Sequence, residues 1–518
     1  MARRLAVGLL SLFVVLAGLT AFEKWPETGW ARPGGGQNYR APSYSPPARS
    51  YSPPPRSYSP PPRSSPSHNY APGPSYPASR SYDRGPSTVY VPTGGGYSSG
   101  SDGFGSALVV GFFILAVIII IIWLRARGRQ PERGTIAVDR ELQDQGLATL
   151  RANDPGFDPA QFVARTKSVV AKVNEAWLKG DMGPARRVIS DGVYVRFTTQ
   201  LELLKADGLR NLMVDWRVVA AELLGADADA LWDTVHVKIV GEARDADVPL
   251  GLAEAAAEKK ARGAELAQYQ EVWSFVRRRG KRSKQGVPAL EGHCPSCGAD
   301  LPLSEVVKCE YCQALINSGE HDWVLAEITQ PEEWRAAPAV GQLPGLEELR
   351  ARDPSVSRQE LEDRGSVVFW KWIEARSSGN KDKLARFCIR PPSDPAVAAE
   401  LDLEAARLRQ VAVGSAELAV VETQDELDLA IVEIRWSASV NGAEPNTFQN
   451  AFVLGRHSEA RSKRGLSSLD CPVCGGQLAK SDETTCPYCS STLGGGKHEW
   501  ALLSVMRAEL PRGGEEES

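Results

Sequence analysis

Eight of the nine cysteines fall into four Cys-x-x-Cys pairs, and these pairs form two groups with the same internal spacing. In each group, eleven residues separate the first pair from the second. Two such pairs joined by a short connection bring four thiolates to one point, which is the closed tetrahedral set that structural zinc prefers. The predicted ligands of two structural Zn²⁺ ions are Cys294, Cys297, Cys309, Cys312, Cys471, Cys474, Cys486 and Cys489.

Residues around the cysteine groups favour this metal interpretation over its alternative, redox-active Cys-x-x-Cys pairs. Gly298 and Gly475 directly follow the second cysteines, where a knuckle turn favours a positive φ. His321 and His498 lie nine residues beyond the last cysteine of each group. We expect them to pack or to form hydrogen bonds, because four thiolates already complete each site. The ninth cysteine, Cys388, is predicted to be a small core residue.

A basic stretch precedes the first cysteine group. Its six cations within eight residues are Arg277, Arg278, Arg279, Lys281, Arg282 and Lys284. Close to a membrane surface, each such charge contributes about 1 kcal/mol of attraction to anionic headgroups. RNA phosphates are an alternative ligand, and a solvated loop without a ligand is the plainer interpretation. A sparser counterpart precedes the second group: Arg456, His457, Arg461, Lys463 and Arg464.

A long apolar run indicates the compartment in which the cysteines lie. Residues 106–124 contain no charge, and a helix of that length crosses a hydrocarbon core of about 30 Å. A transmembrane helix is therefore predicted at 105–124. Four arginines follow within nine residues, which favours the cytoplasmic side for everything after the helix. In a reducing cytoplasm, paired cysteines bind metal rather than form disulfides.

The N-terminal part predicts targeting and a segment without a core. Residues 1–21 resemble a signal peptide, with Arg3 and Arg4 before an apolar stretch, and an uncleaved signal anchor is the alternative. Residues 22–104 are rich in Pro, Ser, Tyr and Gly and repeat Tyr-Ser-Pro-Pro every seven residues. This composition predicts a disordered tether, with a recognition arm as the alternative. The net charge of −4 does not indicate a bulk nucleic-acid-binding protein.

The two cysteine groups belong to a longer internal repeat. Their offset of 177 residues continues from Trp323 to Trp500. We expect these tryptophans to cover apolar surface where each ribbon docks. Farther upstream, Asp154 and Asp353 each precede a proline and open a helical region. The chain therefore contains two copies of one unit.

The pattern of apolar residues predicts helices followed by strands in each copy. In the first copy, helices are predicted from Phe157 to Trp177, through Leu204 and at Leu212–Leu224, and strands at Val235–Val240 and Tyr269–Val276. In the second, helices are predicted at Val367–Arg376 and Ala398–Leu408, and strands at Ala416–Glu422, Leu429–Val440 and Phe448–Leu454. The fold class is α+β, with two cones of helices on a curved antiparallel sheet, each followed by a four-cysteine zinc ribbon.

One family resemblance rests on the first copy. The run from Phe157-Asp158 through Ala176-Trp177 and Gly180-Asp181 to Leu209-Arg210-Asn211 resembles the matrix-side tethering subunit of the mitochondrial protein-import translocase. It also resembles that subunit's bacterial membrane-anchored relatives, the Tim-like lipid-binding proteins. The resemblance covers residues 154–276 well and 353–454 weakly. It implies a cone related to nuclear transport factor two, and a membrane-surface scaffold without enzymatic activity.

The predicted domains follow from these features: signal segment 1–21, disordered segment 22–104, transmembrane helix 105–124, juxtamembrane linker 125–153, first cone 154–285, first ribbon 286–330, linker 331–352, second cone 353–465, second ribbon 466–508 and acidic tail 509–518. The expected function is a scaffold or tether in protein transport or membrane-associated assembly. We expect it to span a bacterial inner membrane once, with its N-terminal segment outside the cytoplasm and its C-terminal domains in the cytoplasm. Its expected partners are a protein, the membrane and anionic lipid.

Two other functions compete with the scaffold. The first alternative is an adaptor that contacts nucleic acid or the ribosome through the basic loops. The second is an enzyme or small-ligand binder, because cone folds often enclose an apolar cavity. The chain has no glycine-rich phosphate loop and no nucleophile elbow, so we predict a non-enzymatic protein.

Overall fold

The computed structural model describes residues 140–302, 307–334, 343–424, 426–462, 465–478 and 483–507. Four predicted segments lie outside these residues, namely the signal segment 1–21, the Pro/Ser/Tyr/Gly-rich segment 22–104, the transmembrane helix 105–124 and the acidic tail 509–518. Among the helices that are described, none is long and apolar enough to span a membrane.

The first cone consists of helices that pack on a four-stranded sheet. Its elements are α1 (Arg140–Asn153), α2 (Pro159–Leu178), a 3₁₀ helix (Gly183–Val188), α3 (Asp191–Ala206), β1 (Leu209–Ala228), β2 (Trp232–Pro249), α4 (Glu254–Arg262), β3 (Leu266–Arg278) and β4 (Val324–Thr329). The side chain of Asp158 caps α2 by accepting two backbone hydrogen bonds, and Pro159 occupies the first turn. The apolar face of α2, including Val173 and Trp177, is buried as predicted.

The strands β1 to β4 form one antiparallel sheet in chain order. Across β2 and β3, Val235 lies opposite Phe275, and Val237 lies opposite Trp273. These side chains are buried in one core with the apolar face of α2. The two predicted strands at 235–240 and 269–276 are thus confirmed, and both are longer than predicted.

The last strand of each sheet lies beyond the ribbon in the sequence. β4 pairs with β3, and Phe275 lies opposite Leu325. Each ribbon is therefore inserted between the third and fourth strands of its sheet rather than appended to a complete cone. The segment 286–330, predicted as the first ribbon, thus includes the last strand of the first cone. All residues of β4 except Glu327 are buried, so this strand shows no alternation that could reveal it.

Two helix predictions are wrong. Leu212–Leu224 lies within β1, which pairs with β2 along its length. The register of this pair shifts at three places and the burial of β1 does not alternate regularly, so the two-residue period of a strand is lost. In the second copy, the helix predicted at Ala398–Leu408 ends at Glu400, and Leu408 begins a strand.

The second cone repeats the architecture of the first. Its elements are α5 (Leu346–Arg352), α6 (Arg358–Ser378), a 3₁₀ helix (Lys381–Phe387), α7 (Pro395–Glu400), β5 (Leu408–Gln424), β6 (Leu427–Val440), β7 (Asn446–His457) and β8 (Ala501–Arg507). β5 to β8 form an antiparallel sheet in chain order. An aromatic cluster fills the core, where the Phe369 ring lies 5.5 Å from Trp436 and 5.7 Å from Phe452. Cys388 is buried in this core, as predicted.

The two cones pack against each other through α3 of the first and α6 of the second. The backbone N–H of Gly192 donates to the Asp363 carboxylate at 3.0 Å. A Cβ atom at Gly192 would lie only 2.6 Å from that carboxylate oxygen, so this close approach requires glycine. From α3, Gln200 donates to the backbone carbonyl of Val411 in β5 at 2.9 Å. The described parts of both cones belong to one compact unit.

Candidate metal centres and the basic loop

Four thiols converge in the first ribbon. The Sγ atoms of Cys294 and Cys312 are 3.7 Å apart, and those of Cys297 and Cys309 are 3.8 Å apart. A tetrahedral zinc ion with Zn–S bonds of about 2.3 Å requires sulfur–sulfur distances of about 3.8 Å. A disulfide bond would bring the sulfurs to about 2.05 Å. The four cysteines are therefore free thiols in the geometry of a metal-ligand set.

The second ribbon has the same geometry. The Sγ atoms of Cys471 and Cys489 are 3.7 Å apart, as are those of Cys474 and Cys486. In each ribbon the four sulfurs lie within 4.8 Å of one another. All eight predicted cysteines are thus brought together in the two predicted sets.

Positive φ angles close the knuckle turns in both ribbons. Gly298 and Gly475, which follow the first pair in each ribbon, have φ angles of 79° and 70° as predicted. The second pair is followed by Gln313 and Ser490, with φ angles of 61° and 58°. Non-glycine residues rarely adopt this conformation, so its recurrence indicates that the ribbon imposes the turn.

The thiols of a ribbon differ in their readiness to lose a proton. Burial raises the pKa of Cys294 to about 12. A hydrogen bond from the backbone N–H of Ala314 lowers the pKa of Cys312 to about 7. At the equivalent position of the second ribbon, the Ser491 hydroxyl lowers the pKa of Cys489 to about 6. Because zinc binds thiolates, metal binding displaces the protons from the four cysteines of each ribbon.

The donor sets fit zinc. Four cysteine sulfurs leave no open coordination position, so a bound ion would have a structural role. His321 and His498 belong to neither set. In the part of the chain that the structure describes, these two sets are the groups of three or more His, Cys, Asp or Glu residues with ligand atoms this close together.

Each ribbon docks on its cone through a tryptophan. The Trp323 ring lies 5.1 Å from the Phe162 ring and 6.1 Å from the Phe157 ring. On the same ring, the guanidinium of Arg277 stacks at 4.2 Å. Trp500 is stacked by Arg456 at 4.5 Å in the second copy. The predicted packing role of both tryptophans is confirmed.

A buried ion pair fixes the loop between β3 and the first ribbon. Arg277, at the end of β3, donates to the Asp154 carboxylate at 3.0 Å, and both side chains are fully buried. The backbone N–H of Ser283 donates to the same oxygen at 2.8 Å. Burial alone would raise the pKa of Asp154, but the hydrogen bonds from Ser283 and Arg277 lower it below its usual value. Asp233 lies 3.8 Å from Arg277 as a second carboxylate.

The second copy contains the same network with shorter contacts. Arg456 lies 2.8 Å from Asp353 and 3.2 Å from Asp428. The backbone N–H of Ser462 donates to Asp353 at 2.7 Å. The two Asp-Pro motifs found in the sequence are thus anchors for the loops that lead into the ribbons.

One of the six predicted contact residues of the basic loop, Arg277, belongs to the buried network of the first copy. Arg277 was predicted to contact lipid or phosphate, but it is fully buried in its ion pair and cannot reach a surface ligand. Its five neighbours remain at the surface: Arg279, Arg282 and Lys284 are exposed, and Arg278 and Lys281 are partly exposed. The surface charge of the loop is therefore carried by five cations rather than six.

Asp191, which the sequence analysis missed, connects both ribbons to the first cone. Its carboxylate accepts from the Asn317 side chain of the first ribbon at 3.2 Å. It also accepts from the backbone N–H groups of Ser468 and Leu469, which lead into the second ribbon, at 2.8 and 2.9 Å. The only sequence signal is the position of Asp191 directly after the Ser190 cap of α3.

A cavity of about 150 Å³ lies between the two cones. Its lining includes Glu327 from the first cone and Glu362, Asp363 and Glu417 from the second. Burial raises the pKa of Glu327, Glu362 and Asp363 to about 7 each, and it also raises the pKa of Glu417. The four acids come from three elements that are far apart in the sequence, so the spacing of the residues did not predict that they meet.

One family model matches the first cone. Residues 143–286 match the Tim44-like domain family. No curated protein matches the chain. Among solved structures, an "Ntf2 like protein involved in plasmid conjugation" is similar at 13% identity, over 55% of this chain and 91% of that chain. Its TM-score is 0.13, which is too low to carry a structural argument.

The family match begins in α1, ends at the start of the first ribbon, and confirms the resemblance read from residues 154–276. The second cone, which shares the order of helices and strands, lies outside it. The chain therefore contains a Tim44-like domain, joined to a second cone of the same α+β architecture and to two tetra-cysteine clusters consistent with zinc ribbons.

Proposed function

We propose that this chain is a membrane-anchored scaffold that binds a protein partner through the surface of its two joined cones, with anionic lipid as a second contact. The observation that carries the proposal is the attachment of the exposed basic loop to a buried frame. The loop starts at the buried Arg277, and Ser283 within it is hydrogen-bonded to Asp154. A loop held at both points presents its cations in a defined arrangement, which lowers the entropy lost on binding.

The proposed location is the cytoplasmic face of a bacterial inner membrane, with a single transmembrane helix at 105–124. Two sequence features support this orientation: the uncharged run of residues 106–124 and the four arginines that follow it. The thiol geometry of the ribbons is compatible with it, because free thiols persist in a reducing compartment.

A nucleic-acid or ribosome-contacting adaptor is the second candidate. The same surface cations could pair with RNA phosphates, and such binding would weaken steeply with added salt. The net charge of −4 argues against a large nucleic-acid footprint.

The test is a pull-down of the full chain from detergent-solubilised membranes. The variant replaces Arg279, Lys281, Arg282 and Lys284 by Gln, and we expect it to lose the partner that the unmodified chain retains. The matched control removes four cations elsewhere on the first cone by replacing Lys179, Lys259, Lys260 and Arg262 with Gln. Equal recovery of the partner by all three chains, or loss of the partner after nuclease treatment, would contradict the protein-scaffold proposal.

Orientation is tested separately. A phosphatase that is active only outside the cytoplasm is fused to the C-terminus of the full chain. We expect no phosphatase activity in intact cells. Activity comparable to that of a secreted fusion would place the ribbons outside the cytoplasm and refute the proposed topology.

A further inference from the structure

The cavity of about 150 Å³ between the two cones is lined mainly by polar side chains. On the first sheet, His236 and Ser274 lie opposite each other, and both line the cavity. At the corresponding positions of the second sheet, counted from the buried ion pair of each copy, Ile431 lies opposite Val453. The fold therefore does not require polar residues at these positions. Because burying polar groups costs free energy unless they are hydrogen-bonded, the polar lining favours a polar ligand over an apolar one.

The wall of the cavity carries more acids than cations. Four carboxyl groups line it against one guanidinium group, that of Arg358. Arg358 lies 3.2 Å from Asp227 and 4.0 Å from Glu362. Behind the wall, Arg196 lies 3.6 Å from Glu327. These two arginines are thus engaged with three acids before any ligand enters.

The other two acids of the wall, Asp363 and Glu417, have no cation within 4.0 Å among the residues that the structure describes. In agreement with this shortage of positive charge, burial keeps the pKa of both acids above its usual value. Two cations farther away are paired with acids outside the cavity, namely Arg364 with Glu499 and Arg435 with Glu333. The cavity therefore offers negative charge that the neighbouring arginines do not balance.

A buried hydrogen-bond acceptor in the same wall lacks a donor. Gln359 is only 5% exposed, and its Oε1 atom accepts no hydrogen bond within the described ranges. The amide nitrogen of this side chain donates to the Thr234 hydroxyl at 3.4 Å, so the oxygen is the atom left for a ligand. Buried polar atoms are almost always paired, because an unpaired one loses its hydrogen bonds to water without replacement. The acceptor and the acids together favour a ligand that is both cationic and rich in donors.

The acids are spread around the wall rather than gathered at one point. Apart from the two cysteine sets, no three His, Cys, Asp or Glu residues of the described chain bring ligand atoms within 4.8 Å of one another. A metal ion held by protein oxygens needs several ligands around one centre. An organic ammonium ion does not, because each of its N–H groups donates a separate hydrogen bond. The arrangement therefore fits an organic cation better than a metal ion.

The volume of the cavity limits the ligand to a few heavy atoms. A cavity of about 150 Å³ accommodates benzene, which has about six heavy atoms. Trp334 belongs to the wall and adds an aromatic surface, to which cations are attracted. A short methylene chain with an ammonium group at each end matches the size of the cavity, its aromatic wall and the separation of its acids.

We propose that the cavity between the cones binds a short aliphatic diamine in its doubly protonated form. The two ammonium groups donate to Asp363, to Glu417 and to Oε1 of Gln359, and the methylene chain packs against Trp334. The cavity is walled by both cones, so the bound diamine stabilises their packing against each other. The inference is independent of the proposed scaffold function, because the diamine binds between the cones and the partner binds at their outer surface.

The test is isothermal titration of the full chain in phosphatidylcholine nanodiscs with putrescine, a four-carbon diamine. Empty nanodiscs are titrated in parallel, and their heats are subtracted. We expect a single site per chain, roughly tenfold weaker binding of n-butylamine, and no measurable binding of butanediol, which has the same length without charge. Equal affinities for putrescine and butanediol, or no saturable binding of putrescine, would overturn the proposal.

A substitution at the mouth of the cavity identifies the site. Glu417 is exposed there, so Glu417→Gln removes its charge at nearly constant shape without disturbing a core. We expect this variant to bind putrescine roughly tenfold more weakly. Glu422→Gln removes the same charge from an exposed position of β5 outside the lining and should leave binding unchanged. Unaltered binding in Glu417→Gln, or equal weakening in both variants, would refute the assigned site.

The pH dependence of binding provides a second readout. Alkylamines stay protonated throughout the neutral range, whereas Glu327, Glu362 and Asp363 have pKa values of about 7. Putrescine should therefore bind roughly tenfold more weakly at pH 6 than at pH 8 for each of these acids that must ionise. Protonation of His236 acts in the same direction, because it adds positive charge to the wall. Equal affinities at both pH values would show that these acids do not hold the ligand.

Discussion

Removing the carboxylate of Asp154 should destabilise the first cone more than the equivalent change destabilises the second. Asp154→Ala leaves the guanidinium of Arg277 buried without its closest partner. Loss of one member of a buried ion pair costs about 3–5 kcal/mol. Asp233 lies 3.8 Å away and burial raises its pKa, so it can take over only part of this role. We therefore expect a cost near the lower end, about 3 kcal/mol.

The second copy provides the internal comparison. After Asp353→Ala, Arg456 keeps Asp428 at 3.2 Å. The remaining loss is mainly the acceptor for the N–H of Ser462 and one hydrogen bond of Arg456, for which about 1–3 kcal/mol is expected. Asp154→Ala should therefore lower the free energy of unfolding more than Asp353→Ala.

Urea unfolding of residues 133–518, loaded with zinc, measures both changes. Circular dichroism and tryptophan fluorescence should give coincident transitions if a single free energy is to be quoted. Glu175→Ala, which removes the partner of exposed Lys179, is the control, with an expected cost of about 0–1 kcal/mol. An Asp353→Ala cost equal to or above that of Asp154→Ala would refute the reasoning from the second carboxylate.

The ion pair of Asp154 and Arg277 also predicts how the free energy of unfolding depends on pH. The pKa of Asp154 in the folded chain lies below its usual value of 3.8. Its stabilising contribution is therefore complete above that value and is lost as the pH falls through the lower folded-state pKa. The difference between the unmodified chain and Asp154→Ala should be constant near neutral pH and should shrink in strong acid. A difference that grows as the pH falls would contradict this assignment.

Three further outcomes are expected. Elemental analysis should find two zinc ions per chain and one after Cys297→Ser, whereas cystines in place of metal would refute the ribbon assignment. Asp191→Ala leaves three buried donors without their acceptor, and we expect faster proteolysis between the cones than in Asp158→Ala, which removes only the cap of α2. Burial raises the pKa of Glu362 from 4.5 to about 7, so the stability contributed by its protonated form is lost as the pH rises through 7. The loss of stability between pH 6 and pH 8 should be about 1 kcal/mol smaller in Glu362→Gln than in the unmodified chain, in which Glu327 and Asp363 titrate over the same range, and an equal loss in both chains would contradict the assignment.

The metal sites could be predicted from the sequence because all their ligands lie close together in it. Two Cys-x-x-Cys pairs separated by eleven residues restrict the possible geometries before any tertiary contact is known. The glycines at 298 and 475 were predictable for the same reason, because local turn geometry demands them. Trp323 and Trp500 were predictable from the register of the repeat.

The rest of the site depends on contacts between distant residues. The pairing of Arg277 with Asp154 joins positions 123 residues apart, so the sequence showed only a run of cations. The fourth strand of each sheet was missed because its buried residues do not alternate with exposed ones and a whole ribbon separates it from its partner strand. The segment Leu212–Leu224 was predicted to be a helix but is a strand, because bulges disrupt the alternation that marks a strand.

Insertion of each ribbon between two neighbouring strands has a consequence for how the chain folds. Forty-five residues separate the end of β3 from the start of β4, and closing a flexible loop of that length carries an entropic cost. A ribbon already folded around its metal brings the two strand ends together in advance and removes most of that cost. We therefore expect the supply of zinc during synthesis to set the rate at which each sheet receives its final strand. Chains made under zinc starvation should accumulate with an unpaired sheet edge, which is a template for aggregation.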